Sequence, residues 1–250
     1  MNSSERWTQF YNVLGLASLP RRADILRRQF LNHRFDRRSP IPALPDLTLN
    51  RIYDYEVVLP PRRFLMQPGV QTIDGILFLV SLALSLRVRS VFEIGTYTGL
   101  TTWALARNLP EASVDTLDIP EGATPCWKLD IDDVHRAAAD NLLYERLPGG
   151  SGISQHWQDS ALFDFAPYHG QVDLVYIDGA HSEEYVRSDT THAMEMISSA
   201  GAIVWDDYWR LSPGVVTVLH QLSPKLHLLR VPGTRLVVHF GKKSEQEERL

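Results

Sequence analysis

From about residue 71 onward, apolar positions switch repeatedly between two spacings. Val88, Val91, Phe92 and Ile94 form a short apolar run, the pattern of a strand buried on both faces. Leu100, Thr102, Trp103, Leu105 and Ala106 then recur at helical spacing. Continued along the chain, this predicts helix 71–87, strand 88–95, helix 99–108, strand 113–118, helix 131–146 and strand 153–158. Strand 172–178, helix 182–198, strand 202–206 and helix 213–222 follow. Segments 226–231 and 235–240, joined by Pro232-Gly233-Thr234, read as a hairpin. Residues 1–70 read differently, as one or two helices and then an irregular stretch with Pro40, Pro42, Pro45, Pro60 and Pro61. The expected organisation is a partly helical arm or lid at 1–70, an α/β domain at 71–241 and a frayed tail at 242–250.

Strands alternating with helices imply a parallel sheet covered by helices on both faces, with the final hairpin adding an antiparallel strand. Composition is that of a soluble globular protein, with 44% hydrophobic and 22% charged residues. The one cysteine, Cys126, cannot form an internal disulfide, which fits a reducing compartment. The longest apolar stretch, Ile76 to Leu86, is too short for a membrane span, and the N-terminus lacks a signal-peptide core. A cytoplasmic protein is expected.

The net charge of −5 is unevenly spread, about +5 over residues 1–63 and about −10 over the rest. The arginines of RRADILRRQFLNHRF alternate with apolar residues, as on an amphipathic helix. With no lysine run and no nucleic-acid motif, the basic arm is expected to pack on the acidic body or on a second copy of the chain.

In open parallel sheets, ligands sit outside the carboxyl ends of the strands, and here every such end is polar. VFEIGTYTGLTT supplies Glu93, Gly95, Tyr97, Gly99 and Thr101 after the first strand. Its E-x-G-x-x-x-G spacing is not the G-x-G-x-x-G of a dinucleotide site. The next strands end in Asp118, in Asp159-Ser160, in Asp178-Gly179-Ala180-His181 and in Asp206-Asp207-Tyr208-Trp209. An acid after the second strand suits ribose hydroxyls, and Asp159-Ser160 suits an adenine edge or a helix cap.

This ordered series resembles a class I S-adenosylmethionine-dependent methyltransferase over roughly residues 71–240. VFEIGTYTGLTT is similar to the first motif of catechol-type O-methyltransferases. DLVYIDGAHSEEYVRSD followed by IVWDDY is similar to the branch acting on macrolide and aminocoumarin sugars. The resemblance implies a Rossmann-like, mostly parallel seven-stranded sheet with a C-terminal antiparallel hairpin. It implies that Glu93, Gly95, Tyr97, Gly99 and Thr101 face the methionine end of the cofactor. Asp118 would hold the ribose, Asp159 with Ser160 would border the adenine, and Asp178 would both face the cofactor and serve catalysis. The threonines would bond or cap the start of the following helix.

The same branches hold a divalent cation on acids matching Asp178, Asp206 and Asp207, and Mg²⁺ suits such an oxygen-rich set. His181, three residues after Asp178, matches the slot of the catalytic base. Some sugar enzymes carry an acid where this chain has Ala180, which leaves His181 as the base. The implied activity is methyl transfer to a small molecule with neighbouring oxygens, with Trp205, Tyr208 and Trp209 as an acceptor wall. Core packing is an equal use for Trp205. The competing readings are a metal-independent enzyme, an N- or carboxyl-methyltransferase, and a non-catalytic cofactor-binding protein. An iron hydroxylase would need a second histidine near His181, and the sequence lacks one.

Overall fold

In a computed structural model, the structure describes residues 44–47, 54–67, 69–129 and 142–241. The basic arm up to residue 43, most of the predicted helix 131–146 and the tail 242–250 lie outside the described residues. So does the expectation of a dimer through that arm.

Seven strands form one sheet in the order β3-β2-β1-β4-β5-β7-β6. They are β1 Ser90–Ile94, β2 Ser113–Asp118, β3 Ile153–Trp157, β4 Val172–Ile177, β5 Ile197–Trp205, β6 Leu229–Arg230 and β7 Val237–Phe240. The first five pair in parallel, and β7 runs antiparallel between β5 and β6. Besides short helical turns at Arg62–Leu65 and Ala166–Tyr168, the helices among the described residues are α1 Ile73–Ser85, α2 Leu100–Asn108, α3 Leu143–Arg146, α4 Glu183–Met196 and α5 Pro213–Leu222. The expected seven-stranded, mostly parallel sheet with its antiparallel end is the sheet observed. Strand β5 begins earlier than its apolar run because Ile197 already pairs with Val172 across an irregularity in the ladder.

The sheet is covered by helices because its central strands bury apolar residues on both faces. Val91, Leu174, Tyr176, Ala202 and Val204 lie in one buried cluster with α1 and α2. Helix α1 reads as apolar nearly all round, and eight of its thirteen residues are buried. It starts where the Thr72 hydroxyl accepts the Gly75 N–H at 3.1 Å. The opposite face carries Phe92, which meets Phe165 and Tyr168 at ring separations of 5.6 and 4.7 Å.

Part of the predicted arm joins this body. The Leu47 N–H donates to Arg230 O and the Arg230 N–H to Pro45 O, each at 2.8 Å, so residues 45–47 run along the edge strand β6. Among the described residues, no helix is long and apolar enough to cross a membrane.

Candidate functional site

The order β3-β2-β1-β4 reverses the chain direction of travel between β1 and β4, which opens a crevice at their carboxyl ends. The turn after β1 is held in conformations that side chains disfavour: Gly95 has φ +101° and Gly99 φ +71°. A Cβ on Gly95 would sit 2.1 Å from Asp178 O. A Cβ on Gly99 would sit 2.6 Å from the Tyr144 ring. The β1 and β4 loops therefore run backbone to backbone, as a close-approach cradle requires. Asp118 closes one side. Its Oδ2 accepts the Tyr97 N–H at 2.7 Å and its Oδ1 the Ile119 N–H at 2.8 Å. Burial raises its pKa.

Glu93 is placed differently from a group facing a ligand. It is 1% exposed, and its Oε2 accepts hydroxyls from Thr102 and, at 2.6 Å, from Thr116. Thr96 joins at 2.7 Å from Thr116, and Gln155 links Thr96 to the Tyr144 hydroxyl. The threonines thus tie the turn to a buried acid. They do not cap α2, whose N-cap is Gly99 with no side-chain bond. Thr101 is buried in the first turn of α2.

Burial, partly offset by the two hydroxyls, pushes the Glu93 pKa from 4.5 to about 7. The folded protein then binds more protons than the unfolded chain between these values, so this group's stabilisation is lost as pH rises through the window. Glu93→Gln is expected to flatten the stability profile there by about 3 kcal/mol at most. Denaturant midpoints at pH 5 and pH 8 measure it; an unchanged profile refutes it. Asp189, also pushed to about 7 by burial, keeps a residual slope of the same sign.

At the β3 end, Asp159 is occupied by protein donors. Its Oδ2 accepts the Cys126 N–H at 2.8 Å and the Tyr185 hydroxyl at 2.7 Å, and its Oδ1 accepts the Ala161 N–H at 2.9 Å. Burial alone would raise its pKa, but these bonds outweigh it and lower the value. Asp159 therefore pins the loop after β2, whose Trp127 meets Tyr185 edge-on at 5.0 Å. Ser160 lies beside the buried Asp189 of α4.

The acids after β4 and β5 converge. One ligand atom each from Asp178, His181 and Asp207 lies within 4.8 Å of the others. His181 Nε2 is 2.8 Å from Asp207 Oδ2. Asp206 stands apart from that group. Its Oδ2 accepts the Gln71 side-chain N–H at 2.8 Å, and Gln71 also donates to the Tyr176 hydroxyl at 2.8 Å. Tyr176 in turn donates to Asp178 Oδ2 at 2.9 Å. Burial, then the negative charges of Asp206 and Asp207, hold the Asp178 carboxyl well above the usual range. Arg235 pairs with Asp207 at 2.8 Å.

Gln71, Tyr176 and Arg235 were not legible as site residues. They lie on a helix approach, inside a strand and in a hairpin, and only the fold makes them neighbours. Trp205 proves to be core, 1% exposed with its indole N–H on Thr190 at 2.9 Å. Trp209 stays at the rim, with Arg235 4.9 Å above its ring.

Residues 92–208 match the family model described as a methyltransferase domain. No curated protein matches the sequence. Among solved structures, the chain is similar to an S-adenosylhomocysteine-bound methyltransferase of Podospora anserina, with 15% identity, 70% of this chain and 81% of that chain covered, and a TM-score of 0.51. A cofactor-bound protein from MTB gives 18% identity, 70% and 83% coverage and a TM-score of 0.51. A Geobacter sulfurreducens methyltransferase gives 14%, 72% and 84%, and 0.50. At these identities the likeness is one of fold. The matched residues include the glycine turn, Asp118 and both acid-bearing strand ends, on the sheet order just described. Over residues 92–208 the chain carries a methyltransferase domain.

Proposed function

We propose that the chain methylates an oxygen of a small molecule bearing two neighbouring oxygens, with His181 as general base and a divalent cation, Mg²⁺ for preference, on the acid cluster. The observation that carries this reading is the convergence of Asp178, His181 and Asp207 beside the Gly95 turn. A base and two acids at the methyl-donor end of a cofactor crevice suit deprotonation of a hydroxyl.

The residues present fit the cofactor. The backbone contact at Gly95 leaves no side chain between the β1 turn and the β4 loop. The Asp118 carboxylate accepts backbone N–H groups of Tyr97, Ile119 and Thr96 and keeps acceptor capacity for a ribose hydroxyl. When bound, S-adenosylmethionine supplies an electrophilic methyl on a sulfonium, so the protein need only align acceptor and donor and remove a proton. Asp159 and Ser160 border the adenine in this reading through the loop they hold rather than by free side chains. Tyr97, Gly99 and Thr101 complete the methionine side.

The donor set also fits a divalent cation, since the carboxylates of Asp178 and Asp207 are the oxygen ligands such an ion takes. Asp178 and Asp207 would hold it, with Asp206 steadied behind them by Gln71. Such an ion, when bound, lowers the pKa of an acceptor hydroxyl. The acceptor proton passes to the His181 imidazole, and the imidazolium is stabilised by Asp207, whose Oδ2 lies 2.8 Å from Nε2. A metal-independent enzyme is the second reading, favoured by the Arg235 guanidinium already on the acids.

Calorimetry with S-adenosylhomocysteine is expected to give saturable binding that persists in Asp178→Ala, and absence of binding at millimolar ligand overturns the cofactor site. Methylation of vicinal diols or catechols is expected to stop in excess EDTA and return with Mg²⁺. Full activity in EDTA selects the metal-independent reading, and methylation of amines alone rejects oxygen as acceptor. Asp178→Ala is expected to leave residual activity that no longer responds to Mg²⁺.

A further inference from the structure

Arg235 has no part in the chemistry proposed above, yet the sheet delivers it to the centre of the site. Trp205 pairs with Val237 in the antiparallel β5–β7 ladder, and continuing that register brings Asp207 opposite Arg235. The Tyr208 N–H donates to Arg235 O at 2.9 Å and holds the backbone there. The guanidinium stacks over Trp209 at 4.9 Å. From that platform Nη1 reaches Asp207 Oδ1 at 2.8 Å and Nη2 reaches Asp206 Oδ2 at 3.5 Å. The two carboxylate side chains are 8% and 2% exposed, whereas that of Arg235 is 28% exposed. The acids are thus fixed inside, while the cation has a path to solvent.

Buried carboxylates without counter-charge are costly, and a guanidinium or a divalent cation can supply that charge. The two cannot supply it independently. A fixed positive charge within the cluster repels an incoming cation and holds one oxygen of Asp207. Resting on the metal reading above, we propose that Arg235 is a built-in counter-ion that competes with a divalent cation for the Asp178–Asp206–Asp207 charge. It sets the metal concentration at which the site loads. With metal scarce, the guanidinium balances the acids and keeps the strand ends folded. As metal rises, the ion takes over that balance and the guanidinium turns toward solvent along Trp209.

The test is Mn²⁺ titration, with free ion read by electron paramagnetic resonance and melting temperature measured in parallel. The proteins are the wild type, Arg235→Gln and Arg235→Gln/Asp178→Ala. Arg235→Gln is expected to bind Mn²⁺ at least about tenfold more tightly than wild type. It is also expected to melt lower without metal and to gain more from Mn²⁺. The added Asp178→Ala should abolish that gain. A residue that merely propped Asp207 for the ion gives the opposite sign. Equal or weaker Mn²⁺ binding by Arg235→Gln, with wild type binding normally, overturns the inference and leaves the metal reading intact. Absence of Mn²⁺ binding in both proteins overturns both. Should Arg235→Gln fail to fold, recovery in Mn²⁺ supports interchangeable counter-ions, and failure to recover refutes them.

Discussion

Replacement of His181 by alanine is expected to lower turnover at pH 7 by about 10²–10⁴-fold while leaving S-adenosylhomocysteine and Mn²⁺ affinity near wild type. The imidazole is 6% exposed and lies 2.8 Å from Asp207, a position from which it receives a proton and has the resulting charge stabilised. Its loss removes the acceptor of the hydroxyl proton but neither the cradle nor the carboxylates. The deficit should shrink as pH rises, because more of the substrate hydroxyl ionises unaided. Added imidazole should restore part of the rate. The pH–rate profiles of wild type and variant measure all three features. Near-wild-type turnover at pH 7 would return His181 to a helix-start residue without chemistry. Lost Mn²⁺ binding would make it a metal ligand, because the same nitrogen cannot hold an ion and accept a proton.

Gly95→Ala is expected to have a comparably large effect by another route. The new Cβ would meet Asp178 O at 2.1 Å and Asp178 C at 2.5 Å, backbone atoms that cannot swing aside. The φ of +101° adds strain for any L side chain. Destabilisation of about 3 kcal/mol or more is expected, lowering the melting temperature of a chain this size by roughly 10 °C. S-adenosylhomocysteine affinity should fall by at least about 100-fold, since the β1 and β4 loops must part. Gly122→Ala is the control. Its φ of +76° carries the conformational cost, but nothing lies within 4 Å of the added atom. It should lose only about 1 kcal/mol and retain binding. If the two variants melt alike, close approach is not what Gly95 provides.

The alternation of spacings determined the architecture because it reflects forces acting along the chain. Largely apolar runs such as Val172–Ile177, interrupted only by Asp173, must be buried on both faces, and helical spacing supplies the covers. Hence strand 113–118 and helix 213–222 were legible to the residue. The polar strand ends were legible too, since the sheet rule places them along one edge whatever their sequence distance. What each polar group does there was decided by tertiary structure. Glu93 belongs to the same motif as the glycines, but a strand-end carboxylate points wherever its neighbours provide donors. Thr102 and Thr116 provide them in the interior. Asp206 and Asp207 are adjacent and identical in type, so the sequence treated them as one pair. Successive residues point in different directions, and Gln71 claims Asp206 while His181 and Arg235 meet Asp207. Asp159 became a loop anchor because Tyr185 and the Cys126 N–H arrive from other elements. The sequence by itself determined the sheet, its helices and the edge where chemistry is possible, through periodic burial. Only the tertiary structure divided the labour among the acids. Long-range pairing, such as the β5–β7 register that sets Arg235 on Asp207, leaves no local pattern to read.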